Sequence, residues 1–364
     1  MIRRPPRSTQ GVSSAASDVY KRQLKNWSPP KSCQEITTID AHTGGEPLRI
    51  IIDGYPDLVG QTLLEKRTYA QKNHDNFRKA FLWEPRGHAD MYGAIIVEPD
   101  TSGADFGVIF IHNEGYSTGC GHAVIALTKV IVETGLIPMM EPETEVKMDT
   151  PSGFIQSFAQ VKNDEVTGVR FQNVPSFVQA LDAEVDVQGF GKIKYDLAFG
   201  GAFYAFVDVS EVGLDCTEEY HNALVDVGKK IKQAVMDKVS MAHPTEPDMN
   251  FLYGTIFTGS AKDPNHHSRN VCIFADGQVD RSPTGTGVSA RAAIHYARGE
   301  IKIGESITIE SIIGSTFTVK VAESSSLGPY DAVIPEVGGN AHITGKNTFW
   351  IDPDDPLKGG FILR

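Results

Sequence analysis

The sequence predicts an α/β (α+β) fold of two pseudo-symmetric halves, each a central helix wrapped by a curved, mostly antiparallel sheet. Three observations lead there. First, "VIFIHNEGYSTGCGHAVIAL" (108–127) and "VCIFADGQVDRSPTGTGVSARAA" (271–293) share one layout: an apolar strand, a turn glycine (Gly115, Gly277), a Gly/Ser/Thr-rich loop and a helix start. Second, the first of these helices is apolar nearly all round, from Ala123 to Val132, which marks a buried helix. Third, strand-like runs flank both helices, so a sheet is what buries them.

The 364 residues allow two halves of ordinary size, divided as 35–175 and 176–349, with 350–364 expected as a C-terminal strand returning to the first half. Residues 1–34 are expected to be a non-native or disordered leader. Its opening, "MIRRPPRSTQGVSSAASDVYKRQ", has the arginine and serine of a transit peptide, but Pro5 and Pro6 break the helix such a peptide needs. It also resembles translated sequencing-adapter readthrough. In "AHTGGEPLR" (41–49), a glycine pair beside His42 and Glu46 reads equally as a turn or as site lining.

Aligning Cys120 with Thr284 also matches Gly121 to Gly285, Val124 to Val288 and Ala126 to Ala290. Both helices then reach a terminating glycine, Gly135 or Gly299, at the same distance from their starts. Beyond them, "VKMDTPSGFIQSF" and "ITIESIIGSTFTV" each read as strand, turn glycine, strand.

A hydrophobic fraction of 40% and a charged fraction of 22% describe a soluble globular chain. No run approaches the length of a membrane span. The net charge of −12 argues against a nucleic-acid partner. Cys33, Cys120, Cys216 and Cys272 form no C-x-x-C pair, so no metal site is expected, and so few thiols fit a reducing, cytoplasmic setting. Cys272, in "NVCIFAD", reads as a core residue, and His266 and His267, in "DPNHHSRN", as solvated.

Cys120 alone stands among glycines at a helix start. There, unpaired N–H groups and a partial positive charge hold anions and favour thiolate over thiol. Two such starts facing one cleft would hold a carboxylate without arginine, and Gly121 and Gly285 would admit it close to the backbone. A Cys120 thiolate beside that carboxylate is a general base for the proton on the adjacent carbon, and the N–H groups stabilise the charge that develops. His122 would help as a charge or as a hydrogen-bond donor. Asp280 reads equally as a cap or as a functional group. No cofactor is required.

Other readings fit less well. "GTGVSA" (285–290) satisfies the dinucleotide pattern G-x-G-x-x-A, but Pro283 interrupts the strand-to-helix turn and Glu305 opens a strand instead of closing one. A cysteine hydrolase needs a histidine oriented toward the thiol, and no spacing marks one. A non-catalytic amino-acid binder would leave the thiol without a task.

With "HNEGY", "CGHAVIAL", "SRNVCIFADGQVDRSP" and "GTGVSA" in place, the chain resembles the proline racemase family from "TTIDAHTGGEPLRI" to "GGFILR". The resemblance implies a fold similar to diaminopimelate epimerase and, from relatives, a homodimer. In the family's racemases and epimerases two cysteines face each other across the substrate α-carbon. Cys120 matches the first, whereas Thr284 stands at the second. A threonine hydroxyl is far too weak an acid–base group to replace a thiol.

The resemblance therefore implies one of the family's dehydratases: a cofactor-independent loss of water from trans-3-hydroxy-L-proline, giving Δ1-pyrroline-2-carboxylate. A proline racemase or 4-hydroxyproline epimerase is the alternative. Carried over position by position, Cys120 and Thr284 are the catalytic pair, and Gly121, His122, Asp280, Gly285 and Thr286 are the substrate contacts. Gly119 departs from the family's usual methionine and removes a side chain from the pocket lining.

Overall fold

The computed structural model describes residues 21–22 and 24–363, so most of the expected leader lies outside the described residues. Two sets of eight strands repeat one pairing scheme. The first set runs Ala341–Ile351, Gln34–Thr43, Glu46–Asp53, Tyr92–Val97, Phe106–His112, Glu143–Thr150, Gly153–Lys162, Glu165–Gln172. The second runs Ser176–Val187, Gly191–Phe199, Phe203–Asp208, Leu252–Gly259, Ser268–Phe274, Ser306–Glu310, Thr316–Leu327, Tyr330–Gly339. In both, the third and fourth strands and the fifth and sixth are parallel neighbours, and every other pair is antiparallel.

Parallel neighbours need a crossover, and helices supply it. Gly121–Glu133 spans the fifth-to-sixth crossover of the first set, and Gly285–Ala297 the same crossover of the second. These are the two central helices. Both close as their glycines predict: Gly135 and Gly299 take φ of 76° and 72°. The next N–H groups then return to the helix, Leu136 to the Ile131 carbonyl at 3.1 Å and Glu300 to that of His295 at 2.9 Å. The first helix buries Val124, Ile125 and Leu127 in the same core that takes Val288 and Ala292 of the second.

Some expectations are corrected. The strand that returns to the first half is Ala341–Ile351, not 350–364; it pairs along the whole of Gln34–Thr43. Of the two readings open for the glycine pair of "AHTGGEPLR", the turn is the one that forms: a two-residue hairpin, Gly44 at φ 59° and Gly45 at φ 91°, joining Thr43 to Glu46. His266 is not simply solvated: its Nδ1 lies 2.9 Å from Glu310, a buried carboxylate that Arg269 also holds. No helix among the described residues is long and apolar enough to cross a membrane.

Candidate active site

The two central helices meet start to start. Cys120, in extended conformation (φ −156°, ψ 100°), precedes Gly121; Thr284 precedes Gly285. A Cβ built on Gly121 would lie 2.6 Å from the Gly285 Cα, and one on Gly285 would lie 2.6 Å from the Gly121 Cα. Any side chain at either position would hold the helices apart. The glycines of "GTGVSA" are thus used in packing, Gly285 on Gly121 and Gly287 beneath Ile256.

One cleft opens at this junction. The first half lines it with Tyr92, Gly119, Cys120, Gly121 and His122; the second with Tyr204, Tyr253, Cys272, Asp280, Thr284, Gly285 and Thr286. All seven residues singled out from the sequence are therefore neighbours. A wider cavity of about 310 Å³ lies toward the far end of the second central helix, among Arg291, His295 and Arg298, and contains none of them.

Cys120 is 7% exposed, with its Sγ 3.2 Å from His122 Nδ1. Burial pushes the thiol well above its ordinary range, and the charges of Asp280 and Glu46 add to that; the Ala123 N–H at the helix start opposes them. The expected lowering by the helix is present but outweighed. The thiol rests protonated. His122 is pushed down to about 3 by burial, so it is neutral at physiological pH and acts through hydrogen bonding, not charge. The Thr43 hydroxyl, from the Gly44–Gly45 hairpin, donates to the His122 carbonyl at 2.8 Å and fixes the helix start.

Asp280 is pushed up to about 6 by burial, while its Oδ1 accepts the Ser282 N–H at 2.7 Å. Glu46 is fully buried and accepts the Arg281 N–H at 2.8 Å. Its carboxyl is raised by burial and by Asp280. Thr284 takes φ of 69°, a strained setting for a β-branched residue, and its N–H donates to Ser282 Oγ at 3.1 Å. Thr286 Oγ1 lies 2.7 Å from the Tyr204 hydroxyl. A Cβ on Gly119 would meet Ser152 Oγ at 3.0 Å, so Ser152 fills part of the space a larger residue would need.

Sequence reasoning missed the tyrosines and Cys272 as a cleft residue, and left the segment of Glu46 open between turn and site lining. A signal for two of them existed. "MYGAIIV" and "LYGTIFT" place Tyr92–Gly93 and Tyr253–Gly254 on corresponding strands of the two sets. Among the described residues, no group of three His, Cys, Asp or Glu is arranged to hold a metal ion.

Two helix starts meeting through glycines, with a thiol on one and a threonine on the other, define one shared site in a duplicated fold. The chain belongs to the proline racemase family, whose model matches residues 38–362. A trans-3-hydroxy-L-proline dehydratase of Colwellia psychrerythraea is 49% identical, covering 98% of this chain and 100% of that protein. A 3-hydroxyproline 2-epimerase of Burkholderia multivorans is 44% identical over 92% of this chain and 100% of its own. The crystal structure of a hydroxyproline epimerase from Agrobacterium vitis, with bound trans-4-hydroxy-L-proline, superposes with a TM-score of 0.86 at 33% identity, covering 91% of this chain and 95% of that one.

Proposed function

We propose that this chain is a trans-3-hydroxy-L-proline dehydratase, a hydro-lyase that works without a cofactor. The observation that carries the reading is Thr284 at the second helix start, where two-base inversion would need a thiol. The substrate carboxylate sits on the first-turn N–H groups of both central helices. Its ammonium faces Asp280, whose negative charge it offsets. With that charge offset, the Cys120 thiolate forms more readily.

Cys120 then takes the α-proton, and the helix N–H groups stabilise the charge spreading into the carboxylate. The 3-hydroxyl departs from the neighbouring carbon as water. The resulting enamine tautomerises to Δ1-pyrroline-2-carboxylate. Thr284 and Thr286 shape the opposite wall. In this reading the protein works in the cytoplasm, a reducing setting that its four unpaired thiols fit, and as a homodimer, as the family resemblance implies.

A second reading, epimerisation of 3-hydroxyproline at its α-carbon, draws on one feature: Cys272 adds a thiol to the second half's wall of the cleft. Burial and Asp280 hold that thiol well above its ordinary range, as they do Cys120, but Cys272 lies on the strand Ser268–Phe274 and lacks the helix-start N–H group that favours the Cys120 thiolate. Proton NMR in deuterium oxide separates the two. Conversion of trans-3-hydroxy-L-proline to pyrroline-2-carboxylate, with L-proline and trans-4-hydroxy-L-proline left uninverted, supports the dehydratase. Inversion with α-deuteration supports the epimerase and rejects it.

A further inference from the structure

Loss of water needs a proton on the departing hydroxyl, because hydroxide is a poor leaving group. In trans-3-hydroxy-L-proline the α-proton and the 3-hydroxyl lie on the same ring face. The donor must therefore stand on the Cys120 side of the cleft, supplied by the first half. Thr284, Thr286 and Asp280 belong to the opposite wall. His122 is neutral and its Nδ1 is already engaged with Cys120 Sγ.

Tyr92 remains. It opens the strand Tyr92–Val97, is 2% exposed and lines the cleft beside Cys120. Its hydroxyl hydrogen-bonds to Ser117 Oγ and is in polar contact with the Cys120 thiol and with Tyr253. Two imidazoles hold the ring, His112 stacked with centroids 5.7 Å apart and His122 edge-on at 4.9 Å. A phenol is thus held rigidly beside the base, on the side where the hydroxyl departs.

We propose that Tyr92 is a further catalytic residue, the acid that protonates the departing 3-hydroxyl and is recharged by the Cys120 thiol; this rests on the dehydratase reading. The Cα–H bond breaks as Cys120 sulfur takes the proton, and the electron pair becomes the Cα–Cβ double bond. The C3–O bond breaks with its pair on oxygen, the Tyr92 O–H proton joins that oxygen, and water leaves. The tyrosinate then recovers a proton from the Cys120 thiol, which restores both groups for the next turnover. Burial keeps Tyr92 protonated between turnovers. Return of the proton from thiol to tyrosinate runs downhill, since a phenol is ordinarily the weaker acid.

The test follows trans-3-hydroxy-L-proline in deuterium oxide by proton NMR with wild-type protein and Tyr92→Phe, reading pyrroline formation and loss of the substrate α-proton signal separately. Phenylalanine keeps both ring contacts. The expected result is dehydration slowed about 100- to 10,000-fold, the range for a lost general acid. Unreacted substrate should meanwhile exchange its α-proton, because Cys120 still abstracts it. That exchange also shows that the variant's site is folded. Dehydration at the wild-type rate overturns the proposal. So does exchange that falls in step with dehydration, which would make Tyr92 a support for Cys120. Wild-type protein that forms no pyrroline-2-carboxylate would instead reject the dehydratase reading, and the assignment of Tyr92 with it.

Discussion

Gly121 and Gly285 touch backbone to backbone, so the two halves meet at the point where their helix starts face the cleft. Substituting alanine at either position places a methyl 2.6 Å from the other's Cα. The helices must then separate, and the N–H groups that hold a carboxylate separate with them. Gly121→Ala and Gly285→Ala should each lower turnover at least 100-fold and cost about 1–3 kcal/mol by denaturant unfolding. Wild-type activity in either would mean that the spacing of the helix starts is unimportant.

Cys120→Ser should abolish dehydration while leaving the unfolding midpoint within a few degrees of wild type. Serine fits the site but forms no anion at usable pH. Retained turnover, read by pyrroline formation, would remove the thiolate from the reaction.

Thr284→Cys supplies a second thiol at the facing helix start. It should bring α-inversion of proline or 4-hydroxyproline above the wild-type level, seen by chiral chromatography of the products. The absence of any gain would place the limit on inversion elsewhere in the cleft wall.

Burial, Asp280 and Glu46 together hold the Cys120 thiol up. Asp280 is itself charged only above about 6, so its effect on the thiol is felt above that pH. Asp280→Asn removes a neighbouring negative charge and favours the thiolate. The pH midpoint for alkylation of Cys120 by iodoacetamide should therefore move down, even as dehydration falls. An unchanged midpoint would show that burial alone sets it.

Glu310 anchors the loop that carries His266. Burial opposes its charge, but the Asp263 and Lys262 N–H groups, His266 and Arg269 hold its carboxyl down to about 2. A depressed carboxyl stabilises the fold above its unfolded value and loses that stabilisation as pH falls through the folded one. Glu310→Gln should cost about 1–3 kcal/mol at pH 7, with the gap closing between pH 4.5 and 2. An equal loss at every pH would assign the effect to packing.

The cleft was legible wherever local chemistry marked it. Glycines beside Cys120 and Thr284 can be read as helix starts because glycine at such a site has few other uses, and the repeat doubled the signal. The acid–base state of Cys120 was not legible, since it depends on burial and on Asp280 and Glu46, brought in from distant segments. Tyr92 looked like an ordinary strand residue, and its neighbours in space give no sign in the sequence. The returning strand was placed late for a similar reason: its alternating burial marks a strand, but its partner is decided three hundred residues earlier.

That partnership bears on how the protein is made. The strand Gln34–Thr43 has Glu46–Asp53 on one side almost at once, but its other neighbour, Ala341–Ile351, emerges from a ribosome about 300 residues later. At roughly 5–20 residues per second, the exposed edge waits on the order of 15–60 s. During that interval the edge is open to pairing with another nascent chain. A chaperone that shields that edge, or a permuted gene that begins with residues 341–351, would raise the yield of native protein.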